Sequence, residues 1–422
     1  MDKKNNNIIK IGYKFIVFLC LILVVVRIGL ARDLQTMLYF GYVGKVFNLV
    51  KNSYYKKIDE KTLIQGAYDG MKKNTPSLNT PSVFTWQALE AFYMNYTSDN
   101  PGISGKLAEA ALDGMIDSLD DPYSILLTPD KLKTLKGDGS GIGLELGARK
   151  GNIVVIAPVA GSPADKAGFK SGDIIIAVNN QSVKNMSLIE GSLLIAGRQG
   201  KKIDITINRG GKTITLSPVF DKLKFEPIKY SLLSGNVGYI RISFFNGKIF
   251  NEFIYALNYM KKQNVKGLIV DLRDNPGGDL NEALRIAARF VPDGVLVWVK
   301  KEGGEPVPQK SGSNETFPAP VVFLVNRGSA SASEVLSAAV SENGKAVLIG
   351  QQTFGKGVIQ SVFKLTGGAE LNLTTQAYLT PEKHNINGMG LKPDYIIDKE
   401  PNFSQLARDL QVIAGWKYIK KQ

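Results

Sequence analysis

Apolar and polar positions alternate with two different periods in the second half of the chain. Short apolar runs typical of buried strands are followed by segments in which apolar residues recur every three or four positions, as in helices. The first strand is predicted at Val237–Ile242, and the helix after it at Ile249–Lys262. Later strands are predicted at 267–272, 321–325, 346–349, 358–365 and 371–378, with a further helix at about 280–290. This alternation predicts an α/β core over residues 222–400, with a central sheet flanked by helices.

The first half of the chain shows two other patterns. Residues 32–138 have helical spacing in several stretches, including Lys106–Leu119, and we expect a helical N-terminal region there. Residues 139–221 predict a small β-rich module, with candidate strands at 152–157, 173–178, 202–208 and 213–219. A basic helix is expected at the C-terminal end, over residues 401–422. The predicted fold class is therefore a multidomain α/β protein.

The N-terminal segment has the composition of a targeting sequence. Lysines precede the apolar run Phe15–Val26, and small residues follow at 29–31. A spanning helix needs about twenty apolar residues, so the shorter run favours an export signal that ends near Ala31. We therefore expect residues 1–31 to be a signal peptide, with a retained membrane anchor as the alternative. The single cysteine, Cys20, lies in this segment, so a processed chain would have no disulfide and no cysteine-bound metal.

The net charge of +14 does not indicate a nucleic-acid-binding protein. The basic residues are dispersed, apart from Lys417, Lys420 and Lys421, whereas a nucleic-acid interface needs a concentrated basic stripe or a known module. Attraction to an anionic membrane surface fits this charge better. A dinucleotide site is also excluded, because Leu146 stands where the third glycine of the Gly141–Gly143 pattern would belong.

The segment around Ser331 is the strongest candidate for chemistry. The predicted strand 321–325 is followed by small residues and then by a helix, and Ser331 with Glu334 fits the S-x-x-E capping box. On this pattern alone, Ser331 is either a helix cap or a nucleophile. Lys356 follows in the sequence, bracketed by two glycines and set between two apolar strands. The open question is whether the side chains of Ser331 and Lys356 meet.

Taken in order, these motifs resemble those of the C-terminal processing proteases, also called tail-specific proteases. Gly114–Ser124 resembles the segment that precedes the family's PDZ domain, and Gly141–Glu145, 164–168 and 172–175 resemble the PDZ domain itself. Asp271–Gly278 resembles the family's D-L-R-x-N-P-G-G turn. Gly328–Glu334 together with Gly355–Gln360 resembles its catalytic pair. The resemblance extends over about residues 106–396.

The resemblance implies a serine endopeptidase whose PDZ domain, at 139–221, grips a substrate's C-terminal tail while the core cuts upstream through an acyl-enzyme. Ser331 would be the nucleophile, Lys356 the general base and Gln360 the residue that orients the lysine. Backbone N–H groups of Ala332 and of Gly277 or Gly278 would form the oxyanion hole. The tail's carboxylate would be bound by the backbone of the PDZ loop, at Gly141, Ile142, Gly143 and Leu144. One departure from the family pattern is Ala196, which precedes the glycine closing the PDZ helix where an arginine is common.

The resemblance also carries expectations about partners and location. Protein substrates are the expected partners, while an adaptor, a membrane surface and a homo-oligomer remain open. Nucleic acid, cofactors and metals are not expected. The implied location is the bacterial periplasm or cell envelope, with anchoring to the inner membrane through the N-terminal segment left open.

The chemistry depends on a neutral lysine. At its reference pKa, a lysine is neutral at pH 7 only at a cost of roughly 4.6 kcal/mol, and burial away from carboxylates removes most of that cost. The residues next to Lys356 in the sequence are glycine or apolar, with no acid among them. Gln360 lies two alternations further on, so a regular strand would place it on the same face as Lys356 without adding a charge.

Two other functions stay open at this point. A non-catalytic adaptor would bind C-terminal tails without hydrolysing them. A Ser-His hydrolase would have to use His384, the only histidine, which lies in a polar turn. A metal site would need clustered carboxylates, and the sequence itself indicates no such cluster.

Overall fold

The computed structural model describes residues 34–75, 83–223, 226–313 and 316–422. The chain forms two compact units, the first ending at Leu126 and the second running from Leu127 to Gln422. The predicted signal or anchor, including Cys20, lies outside the described residues. Among the residues that the structure describes, no helix combines the length and hydrophobicity that a membrane span requires.

The first unit is helical, as predicted. It contains α1 (residues 34–53), α2 (Glu60–Asn74), α3 (Trp86–Asp99) and α4 (Ser104–Asp117), and the short strand β1 (Ile125–Leu127) follows. Helices α2 and α4 pack at a glycine contact, where a Cβ atom on Gly70 would collide with the backbone of Ala110 and one on Gly114 with that of Gly66. Only glycine allows two helix backbones to approach this closely.

The β-rich module lies at the start of the second unit, after helix α5 (Pro129–Lys136). Its antiparallel sheet has the order β2-β3-β4-β6-β7, with β5 paired to β4. The strands are β2 (Leu144–Arg149), β3 (Asn152–Pro158), β4 (Ile174–Val178), β5 (Gln181–Ser182), β6 (Ile205–Arg209) and β7 (Lys212–Leu216). Two short helices, α6 (Pro163–Ala167) and α7 (Leu188–Ile195), complete the module. Its core is aliphatic and includes Ile153, Val155, Ile175, Ile205 and Ile207.

The core contains a sheet of order β17-β14-β13-β10-β9-β8. Its strands are β8 (Ile228–Leu233), β9 (Val237–Ile242), β10 (Gly267–Asp271), β13 (Val321–Val325), β14 (Val347–Gly350) and β17 (Tyr395–Ile396). All neighbours in this sheet are parallel except β8, which pairs antiparallel with β9. Because strand residues alternate between faces, Val270 and Phe323 pack into one hydrophobic cluster and Ile269 and Val322 into another.

Helices cover both faces of this sheet. Helices α8 (Ile249–Lys262), α9 (Leu280–Ala287) and α10 (Ala332–Glu342) contribute to the first cluster, and α11 (Leu410–Lys421) contributes to the second. Helix α9 ends at Ala287, three residues before the predicted end at Phe290. The predicted C-terminal helix begins only at Leu410, after a 3₁₀ turn at Leu406–Arg408.

A second, antiparallel sheet contains β11 (Val295–Lys300), β12 (Val307–Lys310), β15 (Val358–Lys364) and β16 (Glu370–Leu379). Strands β15 and β11 both pair with β16, and β12 pairs with β11. The 3₁₀ turn Thr366–Gly368 connects β15 to β16. The predicted mixed α/β class, with a helical first part, a β-rich module and a core of sheets flanked by helices, is confirmed.

Candidate active site

Ser331 occupies a strained turn between β13 and α10. It is the N-cap residue of α10 and adopts φ 55° and ψ −117°, a conformation that costs an L-residue about 1–3 kcal/mol. Side chains on both sides fix the turn: Ser329 donates to the carbonyl of Leu272 at 2.7 Å, and Ser333 donates to that of Asn275 at 2.9 Å. The half-buried Ser331 side chain therefore projects at the N-terminal end of a rigid helix.

Glu334 connects this turn to the lysine loop. Its fully buried carboxylate accepts the Ser331 N–H at Oε2 (2.9 Å), as the capping-box pattern predicts. It also accepts the Lys356 N–H at the same Oε2 atom (2.9 Å), and the Thr353 hydroxyl (2.5 Å) and Gly355 N–H (2.7 Å) at Oε1. Burial raises the pKa of Glu334, and these four donors act in the opposite direction. One carboxylate oxygen thus ties Ser331 and Lys356 together through their backbones.

Sequence patterns did not indicate this second role for Glu334. The spacing between Ser331 and Glu334 predicted only a helix cap. The other groups that donate to Glu334 belong to a loop about twenty residues further along the chain, which no local pattern relates to it. The structure also corrects the expectation that Lys356 has no acid nearby. Glu334 accepts its backbone N–H, and Glu145 of the β-rich module interacts with its charge.

The turn predicted to carry oxyanion donors packs directly on Ser331. A Cβ atom on Gly277 would lie 2.9 Å from the Ser331 Cβ and 3.1 Å from the Ala332 nitrogen, and Gly277 has φ 106°. Its own N–H is donated to the Asn275 side chain at 2.9 Å. The Gly277 N–H is therefore already engaged within the turn in this conformation.

A buried ion network holds this turn from behind. Arg273 is fully buried and binds Asp271 through Nε (2.8 Å) and Nη2 (2.6 Å). Its Nη1 binds both carboxylate oxygens of Asp409 and the side chain of Gln411, and Tyr239 donates to Asp271 at 2.7 Å. Burial alone would raise the pKa of Asp271, but Arg273 holds it below its usual value. The Asp271–Gly278 motif therefore also attaches α11 to the core, because its Arg273 binds Asp409 at the start of that helix.

Gln360 lies in β15, where its Nε2 donates to the Thr374 hydroxyl at 3.2 Å. Lys356 precedes this strand, and the pairing with β16 is irregular between Ile359 and Gln360. Regular alternation, on which the sequence argument relied, therefore does not relate Lys356 to Gln360. The orienting role of Gln360 stays a prediction.

The β-rich module contacts the lysine loop through β2. Arg149 donates to the Phe354 carbonyl at 2.8 Å and lies over its ring, and a Cβ atom on Gly147 would be 2.8 Å from that ring. Glu145, also in β2, is exposed to water. Protein nevertheless surrounds it closely enough that desolvation raises its pKa, while Lys356 lowers it. A second contact joins Ser171 to Asp274 at 2.7 Å.

An apolar groove of about 450 Å³ runs along the other side of the module. Residues 141–146 line it together with Leu135, Leu188, Ile195, Ala196, Phe220 and Leu223, and Phe244 and Pro276 of the core also contribute. This volume is suited to a few side chains of a peptide. The Gly141 N–H is donated to Asp221 at 2.9 Å, so a carboxylate in the groove would be received by the remaining predicted groups, Ile142, Gly143 and Leu144.

The structure differs from the sequence-based expectation at a cluster of side chains around His384. The structure brings Glu342, Glu382 and His384 together, with one ligand atom of each within 4.8 Å of the others, although the sequence indicated no cluster of acids. His384 is exposed and pairs with Glu342 at 3.3 Å. Glu342 is the last residue of the eleven-residue α10, so about 16 Å of helix separates it from Ser331. Tyr378, which sequence reasoning did not assign, is buried in the same hydrophobic cluster as Val335 of α10.

Comparisons with known proteins agree with this architecture. Residues 236–397 match the model of peptidase family S41, and residues 140–217 match that of a PDZ domain. The chain is 34% identical to "Carboxy-terminal processing protease CtpA" of Bacillus subtilis (strain 168), over 76% of this chain and 69% of the relative. It is 35% identical to "Probable CtpA-like serine protease" of Staphylococcus aureus (strain bovine RF122 / ET3-1), over 84% and 72%.

A solved structure supports the same assignment. The photosystem II D1 C-terminal processing protease superposes with a TM-score of 0.72 at 29% identity, covering 85% of this chain and 93% of that one. Fold and relatives together define a serine-type peptidase that carries a PDZ domain. The chain belongs to the C-terminal processing proteases of peptidase family S41.

Proposed function

We propose that this protein is an endopeptidase that holds the C-terminal tail of a protein substrate in its PDZ domain and hydrolyses it with a Ser331–Lys356 dyad. The observation that supports the dyad is the shared acceptor: the backbone N–H groups of both residues donate to Oε2 of Glu334. Two segments that are remote in sequence are thus held side by side, with Ser331 presented on a strained turn.

The reaction proceeds through an acyl-enzyme. Lys356 Nζ, neutral in the active form, takes the Ser331 hydroxyl proton as Oγ bonds to the substrate carbonyl carbon and the carbonyl electrons move to oxygen. When the tetrahedral intermediate collapses, the carbon–nitrogen bond breaks and the leaving nitrogen takes the proton from Lys356. Water then adds to the ester by the same route and releases Ser331.

Backbone N–H groups stabilise the intermediate in this proposal. Ala332 and Gly278 are the donors, because the Gly277 N–H is already donated to Asn275. Each such donor contributes about 3–4 kcal/mol to the transition state in related chemistry. Gln360 would orient the amine of Lys356 without adding a charge.

Tail capture is assigned to the apolar groove of the PDZ domain. Backbone N–H groups at Ile142, Gly143 and Leu144 would receive the terminal carboxylate, a recognition mode known for C-terminal peptides. The groove walls, which include Leu188, Ile195 and Phe220, are apolar, so we expect a tail that ends in apolar residues.

The dyad is tested by turnover of an unfolded protein with an apolar C-terminus. Ser331→Ala and Lys356→Ala should each abolish cleavage, while all variants keep the unfolding temperature of the wild type. Ser337→Ala, a buried serine in the same helix, and Lys364→Ala, an exposed lysine of β15, are the matched controls and should cleave normally. Normal turnover by either dyad variant would exclude this mechanism.

The role of the tail is tested with the same substrate carrying either a free or an amidated C-terminus. Amidation should raise KM at least tenfold, because it removes the charge that the backbone groups receive. Binding of the free tail without any cleavage would instead support an adaptor. His384→Ala should retain full activity, since His384 lies at the far end of α10 from Ser331.

We also propose that the enzyme acts in the bacterial cell envelope, exported through its N-terminal segment. The support is the lysine-flanked apolar run Phe15–Val26. Fractionation of expressing cells should recover the protein outside the cytoplasm, in the soluble fraction if the segment is cleaved and with membranes if it is retained. Recovery from the cytoplasm alone would contradict the proposal.

A further inference from the structure

Three segments meet at one end of the parallel sheet. The turn 234–236, before β9, accepts the indole N–H of Trp416 from α11 at 2.7 Å. The same turn is hydrogen-bonded to the loop 263–266, before β10, by two bonds from Asn236 of 3.0 and 3.1 Å. Because β9, β10 and β13 are parallel, this end lies opposite to the one at which Ser331 follows β13.

Lysines dominate the charge at this end. Residues 253–270 and 410–422 each contain three lysines and no aspartate or glutamate, and residues 227–251 contain no acidic residue either. One lysine is seated on the turn itself, because a Cβ atom on Gly235 would lie 2.5 Å from the Nζ atom of Lys420. Five of the lysines are exposed: Lys262, Lys266, Lys417, Lys420 and Lys421. The last three are spaced three and four residues apart, so they share one side of α11.

Exposed aromatic and aliphatic side chains continue this surface along β8 and α8. Tyr230 and Leu232 alternate with polar residues on one face of β8, which leads into the turn before β9. Tyr255 and Tyr259 lie one turn apart on α8, and Lys262 follows at the next turn. The Tyr230 ring packs against both, with centroids 6.3 Å from Tyr255 and 5.4 Å from Tyr259. Tyr255 is nevertheless 69% exposed and Leu232 40% exposed.

This combination of side chains fits the surface of a lipid bilayer. Tyrosine and tryptophan favour the headgroup layer, where the ring is in an apolar environment and its polar group reaches water. Each lysine close to an anionic bilayer increases affinity about fivefold. A nucleic acid would use the lysines but would leave Leu232 without a role. A second copy of this surface would bring lysines against lysines, because symmetric pairing places like residues close together.

We propose that this basic end surface, formed by the five lysines with Tyr230, Leu232, Tyr255, Tyr259 and Trp416, binds the surface of an anionic lipid bilayer. The lysines contact the anionic headgroups, and the tyrosines with Leu232 enter the headgroup layer. Ser331, at the opposite end of the sheet, then faces the aqueous side, where protein substrates can reach it. The inference does not depend on the identity of the catalytic base.

Quenching of Trp416 fluorescence by brominated lipid tests the proposal, because bromine quenches indole only at close range. The full chain is mixed with vesicles of brominated phosphatidylcholine, either alone or with brominated phosphatidylglycerol. The chain has three tryptophans, so the contribution of Trp416 is the difference from a Trp416→Phe variant. We expect quenching of Trp416 only by the anionic vesicles, and we expect its loss at high salt, which screens exposed charges.

The lysines are tested by the triple variant Lys417→Gln/Lys420→Gln/Lys421→Gln, which keeps Trp416. At the lipid concentration that half-saturates the wild type, its quenching should fall by about tenfold or more. The matched control is Lys166→Gln/Lys170→Gln/Lys212→Gln, which removes three exposed lysines of the PDZ domain and should be quenched like the wild type. All variants share the same N-terminal segment, so any anchoring by that segment is common to them.

The apolar part of the surface is tested by Tyr255→Ser, which should also weaken quenching by the anionic vesicles while the unfolding temperature stays close to that of the wild type. Cleavage of the unfolded substrate in solution should be unchanged in all these variants, because the surface lies at the other end of the sheet from Ser331. Failure of this inference would therefore leave the proposed hydrolase intact.

Three results would overturn the inference. One is a wild type whose Trp416 is not quenched by anionic vesicles, and another is equal quenching of the two triple variants. The third is a different occupant of the surface in the absence of quenching. Binding of a DNA duplex that the α11 lysine variant loses would indicate a nucleic-acid surface. A fall in mass by sedimentation velocity for Tyr255→Ser would indicate a contact between copies of the chain.

Discussion

At the scale of single residues, the site depends on one buried carboxylate. Ser331 is kept in a conformation that an L-residue adopts only when its surroundings enforce it, and Glu334 supplies one of those constraints through the Ser331 N–H. The same carboxylate fixes Thr353, Gly355 and Lys356. A fully ionised carboxylate accepts at both oxygens, whereas an amide of the same shape accepts at one and donates at the other.

Glu334→Gln should therefore disrupt the site although it preserves the volume of the side chain. Its NH₂ group would face two of the four donors, which leaves buried polar groups without acceptors at about 1–3 kcal/mol each. We expect a lower unfolding free energy in urea and at least a hundredfold loss of kcat, because small displacements of reacting groups have large effects on rate.

Glu282→Gln provides the comparison for this change. Glu282, on α9, is also buried and accepts a backbone N–H, that of Phe250 at 2.9 Å, and it pairs with Arg285 rather than with the lysine loop. The Glu282→Gln variant should have a lower unfolding free energy in urea and an unchanged kcat. Wild-type turnover by Glu334→Gln would show that Glu334 does not position the dyad.

At the scale of elements, β2 relates the PDZ domain to the lysine loop. Gly147 and Arg149 of this strand meet Phe354, and Glu145 of the same strand interacts electrostatically with Lys356. The carboxylate of Glu145 stabilises the charged form of Lys356. The proposed dyad needs the neutral form, so this electrostatic interaction would disfavour catalysis in the conformation described.

Glu145→Gln should raise activity in the absence of a bound tail. Without the carboxylate, a larger fraction of Lys356 is neutral at a given pH than in the wild type. The acidic limb of the kcat/KM profile should therefore move to lower pH. Because Glu145 is exposed to water, the expected gain at pH 7 is modest, about three- to tenfold. Exposed Glu302 is the control, and Glu302→Gln should leave the profile unchanged. An unshifted profile for Glu145→Gln would rule out this effect.

At the scale of the whole molecule, Arg273 joins the turn after β10 to the C-terminal helix. It pairs with Asp271 at the end of β10 and with Asp409 at the start of α11, and all three side chains are almost completely buried. Removing one partner of such a group leaves uncompensated charges in the interior. The free-energy cost of these unpaired charges exceeds the net stabilisation that the intact pair provides.

Arg273→Met should lower the unfolding free energy by about 3–5 kcal/mol. The exposed pair of Arg327 and Asp398 is the comparison, and Arg327→Met should change the unfolding free energy by less than about 1 kcal/mol. The pH dependence gives a second readout. Because the folded-state pKa of Asp271 is lowered, its contribution is present above its unfolded-state pKa of about 3.9 and is lost as pH falls through the folded-state value.

In Arg273→Met, this acid-dependent loss of stability should disappear. Urea unfolding between pH 2 and 7 measures both effects. Parallel curves for the wild type and the variant across this range would show that the network does not stabilise Asp271 in its ionised form.

Local patterns predicted the parallel sheet well. The bounds of β9, α8 and β13 coincide with those expected from apolar runs and helical spacing, because these elements are buried on a continuous face. The sequence did not predict β11 and β12, which belong to a second sheet and depend on pairing with the distant β16. Glu334 and Glu145 were missed as neighbours of Ser331 and Lys356 for the same reason: their partners are remote in sequence, and no local period records such interactions.

Strand β2 has two sets of neighbours. Leu144, Glu145 and Leu146 line the groove proposed to hold the substrate's C-terminal end, while Arg149 further along the strand contacts the lysine loop at Phe354. Any rotation of this ribbon about its own axis moves both sets of side chains at once. A change in the orientation of β2 on peptide binding would therefore alter the surroundings of Lys356 directly.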